Sequence, residues 1–232
     1  MLVKSAEART YIVGKQPVHQ SVYEELRALI LFGDLAPGQP VTIQGIAQTL
    51  GAGMTPVREA IRRMLSAGAL TMMGNRRVIV PVLTGGCIEE LDFMRGNLEP
   101  ELAGRAAEHI TPDVLGALTA EDTLLNQAIA NGDISAYLAH NYRFHAKLYA
   151  TAQAPIIALT VDRLWLRFGP SLRVVCGRFG TANLPDKHAD LLQALTARDR
   201  CAVEIAMAED VEQGMQQIRA ALNDPAHANR FD

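Results

Sequence analysis

The sequence predicts a mainly α protein in two parts, an N-terminal winged helix-turn-helix followed by an all-helical bundle. Apolar residues recur at helical spacing along most of the chain. One pair of short runs, Ala69–Met73 and Val78–Val82, joined by Gly74-Asn75-Arg76-Arg77, reads instead as a β-hairpin with a basic tip. Charge divides at the same place. Residues 1–84 hold nine Lys/Arg against five Asp/Glu, a balance of +4, while residues 85–232 hold thirteen against twenty, a balance of −7. Such asymmetry is expected when one module meets a polyanion and the other does not.

A chain of 232 residues accommodates one large domain or two small ones. With 49% hydrophobic and 20% charged residues the composition is that of a globular protein, and 5% aromatics argues against an all-β sandwich. No apolar stretch approaches the roughly 18 residues that cross a bilayer, and the opening MLVKSAEART lacks the hydrophobic region of a secretory signal. A cytoplasmic protein with no membrane partner is expected. Cys87, Cys176 and Cys201 are too few and too dispersed for a disulfide framework or a zinc knuckle, and read as reduced packing residues.

The expected organisation is a polar leader at 1–15, a winged helix-turn-helix at 16–84, a helical ligand-binding and dimerisation domain at 85–222 and a tail at 223–232. Val18, Val22, Leu26, Leu29 and Ile30 predict a helix over 18–32 that ends at Gly33. The stretch Asp34 to Pro40 is turn chemistry, and Thr42 caps a short helix over 43–50 that closes at Gly51. Thr55 before Pro56 reads as a cap followed by the first helical position, which starts a third helix reaching Ala67. Val57, Ile61, Met64 and Leu65 then face inward, leaving Arg58, Glu59, Arg62, Arg63 and Ser66 outside. A helix of this kind enters a DNA major groove with its N-terminal side chains at base edges, while Arg76 and Arg77 on the hairpin reach phosphates or the minor groove.

Beyond Gly85-Gly86, helices are expected at 87–108, 112–131, 133–151, 155–178, 186–197 and 200–222, with a kink at Gly169-Pro170 in the fourth of these. Asn141 and His145 lie four apart on one face. His188 shares a face with Leu191, Leu192 and Leu195, and Asp210 one with Val203, Ala206, Met207 and Gly214, so these polar groups point inward. Inward polar groups need partners, either a hydrogen-bonded core or convergence of His145, His188 and Asp210 on a divalent metal. His19, His109, His140 and His227 fit no shared face and read as surface residues. A metal-dependent hydrolase using the His/Asp cluster is an alternative, but HExxH, GxSxG, P-loop and dinucleotide fingerprints are all missing. A purely structural DNA binder would need no polar pocket.

The segments Gly33-Asp34-Leu35-Ala36-Pro37-Gly38, Ile46-Ala47-Gln48-Thr49-Leu50-Gly51 and Thr55-Pro56-Val57-Arg58-Glu59-Ala60-Ile61 resemble the GntR family of bacterial transcriptional regulators, and the helical remainder resembles its FadR-type C-terminal domain. The resemblance implies a ligand-responsive regulator, not an enzyme, that binds a palindromic double-stranded operator as a homodimer, with affinity changed by a small organic acid. It implies DNA contacts from Thr55, Arg58, Arg62, Arg63, Arg76 and Arg77. Gly53 and Met54 stand where the family commonly has a polar residue and an arginine, and Arg77 where it has a glycine. Met54 is therefore a candidate contact to a thymine methyl in place of a guanine-reading guanidinium. In the second domain, Asn141-Tyr142-Arg143-Phe144-His145 corresponds to the family's Asp-x-x-Phe-His metal motif. His188 takes the first later ligand position and Asp210 the last. The implied set is His145, His188, Asp210 and Asn141, holding Zn²⁺, Ni²⁺, Mn²⁺ or Fe²⁺. Arg95, which with Glu99 resembles a first-helix Arg-x-x-x-Glu pattern, and Arg167 are candidate effector contacts. Movement of the helix near Cys87, passed on through Gly85-Gly86, is the expected lever on the DNA-binding heads.

Overall fold

A computed structural model describes residues 18–179 and 187–222. The expected leader and tail, His227 and the 184–186 break lie outside those residues. In the N-terminal head, α1 (Val18–Leu31) buries Val22, Leu26 and Ile30. The second helix, α2 (Ile43–Leu50), begins where the Thr42 hydroxyl oxygen accepts from the Gly45 amide at 3.0 Å, and it ends at Gly51, whose φ of 61° is the left-handed conformation that glycine adopts without strain. The third, α3 (Met54–Ser66), buries Val57, Ala60, Ile61 and Met64 against α1.

Two details of the head differ from expectation. Gly53, not Thr55, caps α3, and it does so without a side-chain bond. Thr55 and Pro56 both lie in the first turn, where amides have no intrahelical partner, so proline is tolerated there as readily as at the first position. The hairpin is also shorter than expected. It consists of β1 (Thr71–Met72) and β2 (Val78–Ile79), antiparallel with Thr71 opposite Ile79. The amides of Ala69 and Leu70 bond the Met64 carbonyl and are lost to the ladder, while Val78 and Val80 pair with the 38–41 segment instead.

The second part comprises α4 (Gly85–His109), α5 (Pro112–Asn131), α6 (Ile134–Thr151), α7 (Pro155–Phe179), α8 (Lys187–Ala197) and α9 (Arg200–Leu222). Thr84, Thr111 and Asp133 cap α4, α5 and α6 through side-chain oxygens. With Thr84 as cap, Gly85 and Gly86 form the first turn of α4 rather than a flexible connection. The core of the bundle packs α4 on α9, α5 on α6 and α8 on α9.

Helix α7 continues through Gly169-Pro170 and lies between bundle and head. A Cβ at Gly169 would sit 2.4 Å from the Leu31 carbonyl oxygen, so glycine is what lets the end of α1 approach. Cys176 is buried and Cys87 half-buried, as packing residues should be, but Cys201 stands exposed. No helix among the described residues is long and apolar enough to cross a membrane.

Candidate functional site

Two sets of polar side chains are candidates, one on the outside of the head and one inside the bundle. On α3, Met54, Thr55, Arg58, Arg62 and Arg63 are exposed because the apolar positions of the same helix face α1. Arg58 makes no ion pair with a described residue. Arg62 bonds Glu59 one turn away, at 2.7 Å, and this bond holds the Glu59 carboxyl below its ordinary range. Arg63 is turned aside: its guanidinium stacks 3.5 Å over the Tyr23 ring and reaches Gln20 on α1. On the hairpin, Arg76 and Arg77 are exposed, and Arg76 holds a positive φ of 63°, rare for a residue with a side chain. Met72 and Met73, which no spacing or motif singles out, are exposed beside them at 57% and 49%.

Inside the bundle, His145 from α6, His188 from α8 and Asp210 from α9 offer ligand atoms within 4.8 Å of one another. The two imidazole Nε2 atoms are 3.3 Å apart, and the Asp210 Oδ2 lies 3.4 Å from that of His145. Burial pushes the His145 imidazole down to about 3, a shift that Asp210 opposes and that His188 and Arg95 reinforce, so its ring is neutral and has a lone pair to give. Two imidazole nitrogens and a carboxylate oxygen form an intermediate-to-hard donor set that suits a divalent transition metal. Asn141 lines the same pocket, which has about 100 Å³ of room.

Residues behind the two histidines complete the arrangement. His188 Nδ1 lies 3.1 Å from Asp122 Oδ1 on α5. His145 Nδ1 lies 3.1 Å from the Tyr149 hydroxyl, which donates to Glu99 Oε2 at 2.5 Å. Glu99 is in turn held by Nε and Nη2 along one edge of the Arg95 guanidinium. Burial first, and the Glu99 carboxylate second, hold the Tyr149 hydroxyl well above its ordinary value. Asp122 was not legible in the sequence, because its contact joins α5 to α8 and leaves no periodic trace, whereas Tyr149 follows His145 by one turn of α6 and helical spacing could have found it.

Other expected residues fall elsewhere. Arg95 borders the pocket but is committed: it is 4% exposed, pairs with Glu99, bonds the Met215 sulfur and stacks 3.9 Å from the Phe168 ring. It is an internal ion pair rather than a free anion-binding group. Arg167 is not in the pocket. Its guanidinium lies where a Cβ on Gly68 would come within 3.1 Å, on the side of α7 that faces the head. His140 is not a surface residue, since it pairs with Glu121 at 2.8 Å and is largely covered, whereas His19 and His109 are exposed as expected.

The pocket wall also carries the buried Trp165, whose Nε1 is a donor with no partner among the described residues. Trp165 packs edge-on to Tyr142, ring centres 5.5 Å apart. The Tyr142 hydroxyl donates to Asp162 at 2.8 Å and accepts from Arg27 of α1 at 2.6 Å, and Arg27 also pairs with Asp162. Farther along α7, Arg173 bonds the Phe32 carbonyl and reaches Asp34.

Residues 18–80 match the gntR family of bacterial regulatory proteins, and residues 90–213 match the FCD domain family. The HTH-type transcriptional regulator McbR of Escherichia coli K12 is 29% identical over 205 residues, covering 87% of this chain and 93% of McbR. The HTH-type transcriptional repressor RspR of the same strain is 28% identical over 218 residues, covering 90% and 93%. The solved structure of E. coli McbR/YncC superposes with a TM-score of 0.83 at 28% identity, covering 90% of this chain and all of that one, as 100%.

Proposed function

Because the chain belongs to the GntR family of bacterial regulatory proteins and carries an FCD domain, we propose that it is a ligand-responsive transcriptional repressor that binds a palindromic operator as a homodimer. A divalent metal and a small carboxylate effector in the bundle set its affinity for DNA. Its relatives are regulators rather than enzymes, which removes the metal-dependent hydrolase as an alternative. The reading rests on one observation: His145, His188 and Asp210 converge in a pocket walled by α7, and the other side of α7 carries the head.

Two imidazoles and a carboxylate suit Zn²⁺, Ni²⁺, Mn²⁺ or Fe²⁺, with Asn141 as an uncharged fourth donor. A bound cation leaves open positions for an effector carboxylate. The cations near the pocket do not compete for that role, since Arg95 is held by Glu99 and Lys187 by Glu209 at 2.6 Å. An effector oxygen reaching the Trp165 Nε1 would satisfy its missing acceptor.

On the DNA side, Met54, Thr55, Arg58 and Arg62 read the major groove, and Arg76 and Arg77 hold the backbone. Arg63, stacked on Tyr23, plays a lesser part. One head covers a half-site, and two related by a two-fold axis meet half-sites about 10 base pairs, or about 34 Å, apart.

Coupling runs through α7. A ligand that displaces Trp165 shifts Tyr142, and with it the seat of Arg27 and α1. The effect requires that the ligand favour one placement of the heads over the other, since equal affinity for both shifts nothing. The test is anisotropy with a selected operator and with random DNA at matched salt, with and without added metal and candidate carboxylates. Sequence-specific binding by a dimer, altered by one of those additions, supports the reading. Equal affinity for both DNAs, or a monomer on the operator in sedimentation, sinks it.

A further inference from the structure

We propose that Tyr149, backed by Glu99 and Arg95, and Asp122 are positioning residues that fix which ring nitrogen of His145 and His188 faces the metal position, and so preform the site before metal arrives. The inference rests on the metal reading above and concerns residues that reading leaves without a role.

The argument is a count of hydrogens. A tyrosine hydroxyl has one to give. Tyr149 gives it to Glu99, a carboxylate that can only accept while it is paired with Arg95. The same oxygen lies 3.1 Å from His145 Nδ1, so in that contact it can only accept. His145 Nδ1 therefore carries a hydrogen, and Nε2 is the nitrogen turned toward His188 and Asp210. Asp122 acts likewise on His188, because its carboxylate oxygen 3.1 Å from Nδ1 accepts the hydrogen there. Asn126 bonds the other oxygen of Asp122 at 3.1 Å and helps hold its plane.

The outcome is three acceptors facing one another: Nε2 of His145, Nε2 of His188 at 3.3 Å and Oδ2 of Asp210 at 3.4 Å. Acceptors this close repel unless a cation or a proton lies among them. Rings free to turn would relieve the conflict. Here they are not free: His188 is stacked on the Phe144 ring at 4.0 Å with an interplanar angle of 7°, and His145 is hemmed by Trp165 at 5.2 Å. Partners of this kind on the far nitrogen of a ligand imidazole commonly change metal affinity by about 10- to 100-fold.

Tyr149→Phe removes the acceptor from His145 while keeping the ring and the Arg95–Glu99 pair, and Asp122→Ala removes the acceptor from His188. Calorimetry of the full chain with Zn²⁺, Ni²⁺ and Mn²⁺ in turn should show each variant binding about 10- to 100-fold more weakly than wild type. Long-range ¹H–¹⁵N spectra of the imidazoles supply a readout that a merely structural role would not move. They should show the hydrogen on Nδ1 of His145 in metal-free wild-type protein and loss of that single form in Tyr149→Phe. A hydrogen on Nε2 of wild-type His145, or wild-type metal affinity in Tyr149→Phe, would overturn the proposal. Wild-type protein that shows the Nδ1 form yet takes up none of the three metals would overturn the metal reading alone and uphold the positioning role.

Discussion

In the head, Arg62 stands 75% exposed in solvent and its ionic partner among the described residues, Glu59, is a neighbour on the same helix. In the bundle, Arg95 is 4% exposed, and its partner Glu99 leads through Tyr149 to a histidine on another helix. Both are arginines three or four residues from a glutamate on one helix, a spacing that looks alike in sequence. Their environments give them opposite duties. An exposed guanidinium contributes little to folding and is free to meet an incoming phosphate or base. A buried one is held because its loss would strand a charge, and it serves function only through what it orients.

The sharpest way to break this comparison is to remove the acid from each pair. Glu99→Ala leaves a guanidinium without its counter-ion in a site closed to water and should cost about 3–5 kcal/mol in urea unfolding, whereas Glu59→Ala should leave the unfolding midpoint where it is. Equal midpoints for the two variants would mean that the interior pair is not an interior pair in solution.

Next in size is the contact between the two regions. Arg27→Met and Tyr142→Phe interrupt the bonds joining α1 to α6 and α7. Each should shrink the change in operator affinity caused by metal, a coupling of the usual order of about 1–3 kcal/mol, while metal binding itself persists. Undiminished coupling in both variants would move the lever away from α7.

Effects confined to one region are smaller and more specific. Arg58→Ala should lower operator affinity by about 1–3 kcal/mol and relax discrimination at one base step. Arg62→Ala should likewise weaken binding to the operator more than to random DNA, whereas Arg76→Ala should weaken binding on every sequence and reduce the salt slope by about 1. Arg63→Ala, removing a group already stacked on Tyr23, should do less than Arg58→Ala or Arg62→Ala. Arg167→Ala should leave effector affinity unchanged, because that side chain lies against Gly68 rather than in the pocket.

The same contrast explains what was legible in the sequence. The head is a local structure: Thr42, Gly51, Pro56 and the Val57–Ile61–Met64 stripe act within a turn or two, and spacing alone places α2 at its observed bounds and α3 to within two residues. In the bundle, helical faces sufficed to turn His145, His188 and Asp210 inward, and these three do meet. Periodicity could not say which helices adjoin. It therefore missed Asp122 behind His188 and gave Arg167 to the pocket when α7 turns it to the head, while Tyr149, one turn beyond His145 on the same helix, was within its reach. The Gly85-Gly86 pair looked like a joint because glycines often are, yet the Thr84 cap draws both into α4.

The claim that joins the regions is that one ligand site in the bundle controls DNA binding by the heads, and reciprocity tests it directly. Metal affinity should be measured by calorimetry on the full-length protein, free and saturated with a selected operator, for wild type and for His188→Ala. The expected result is that operator changes the wild-type metal affinity by the same factor by which metal changes operator affinity, while His188→Ala binds operator like metal-free wild type and has lost the dependence. Identical metal affinity on and off DNA would contradict the claim and leave two independent binding modules on one chain.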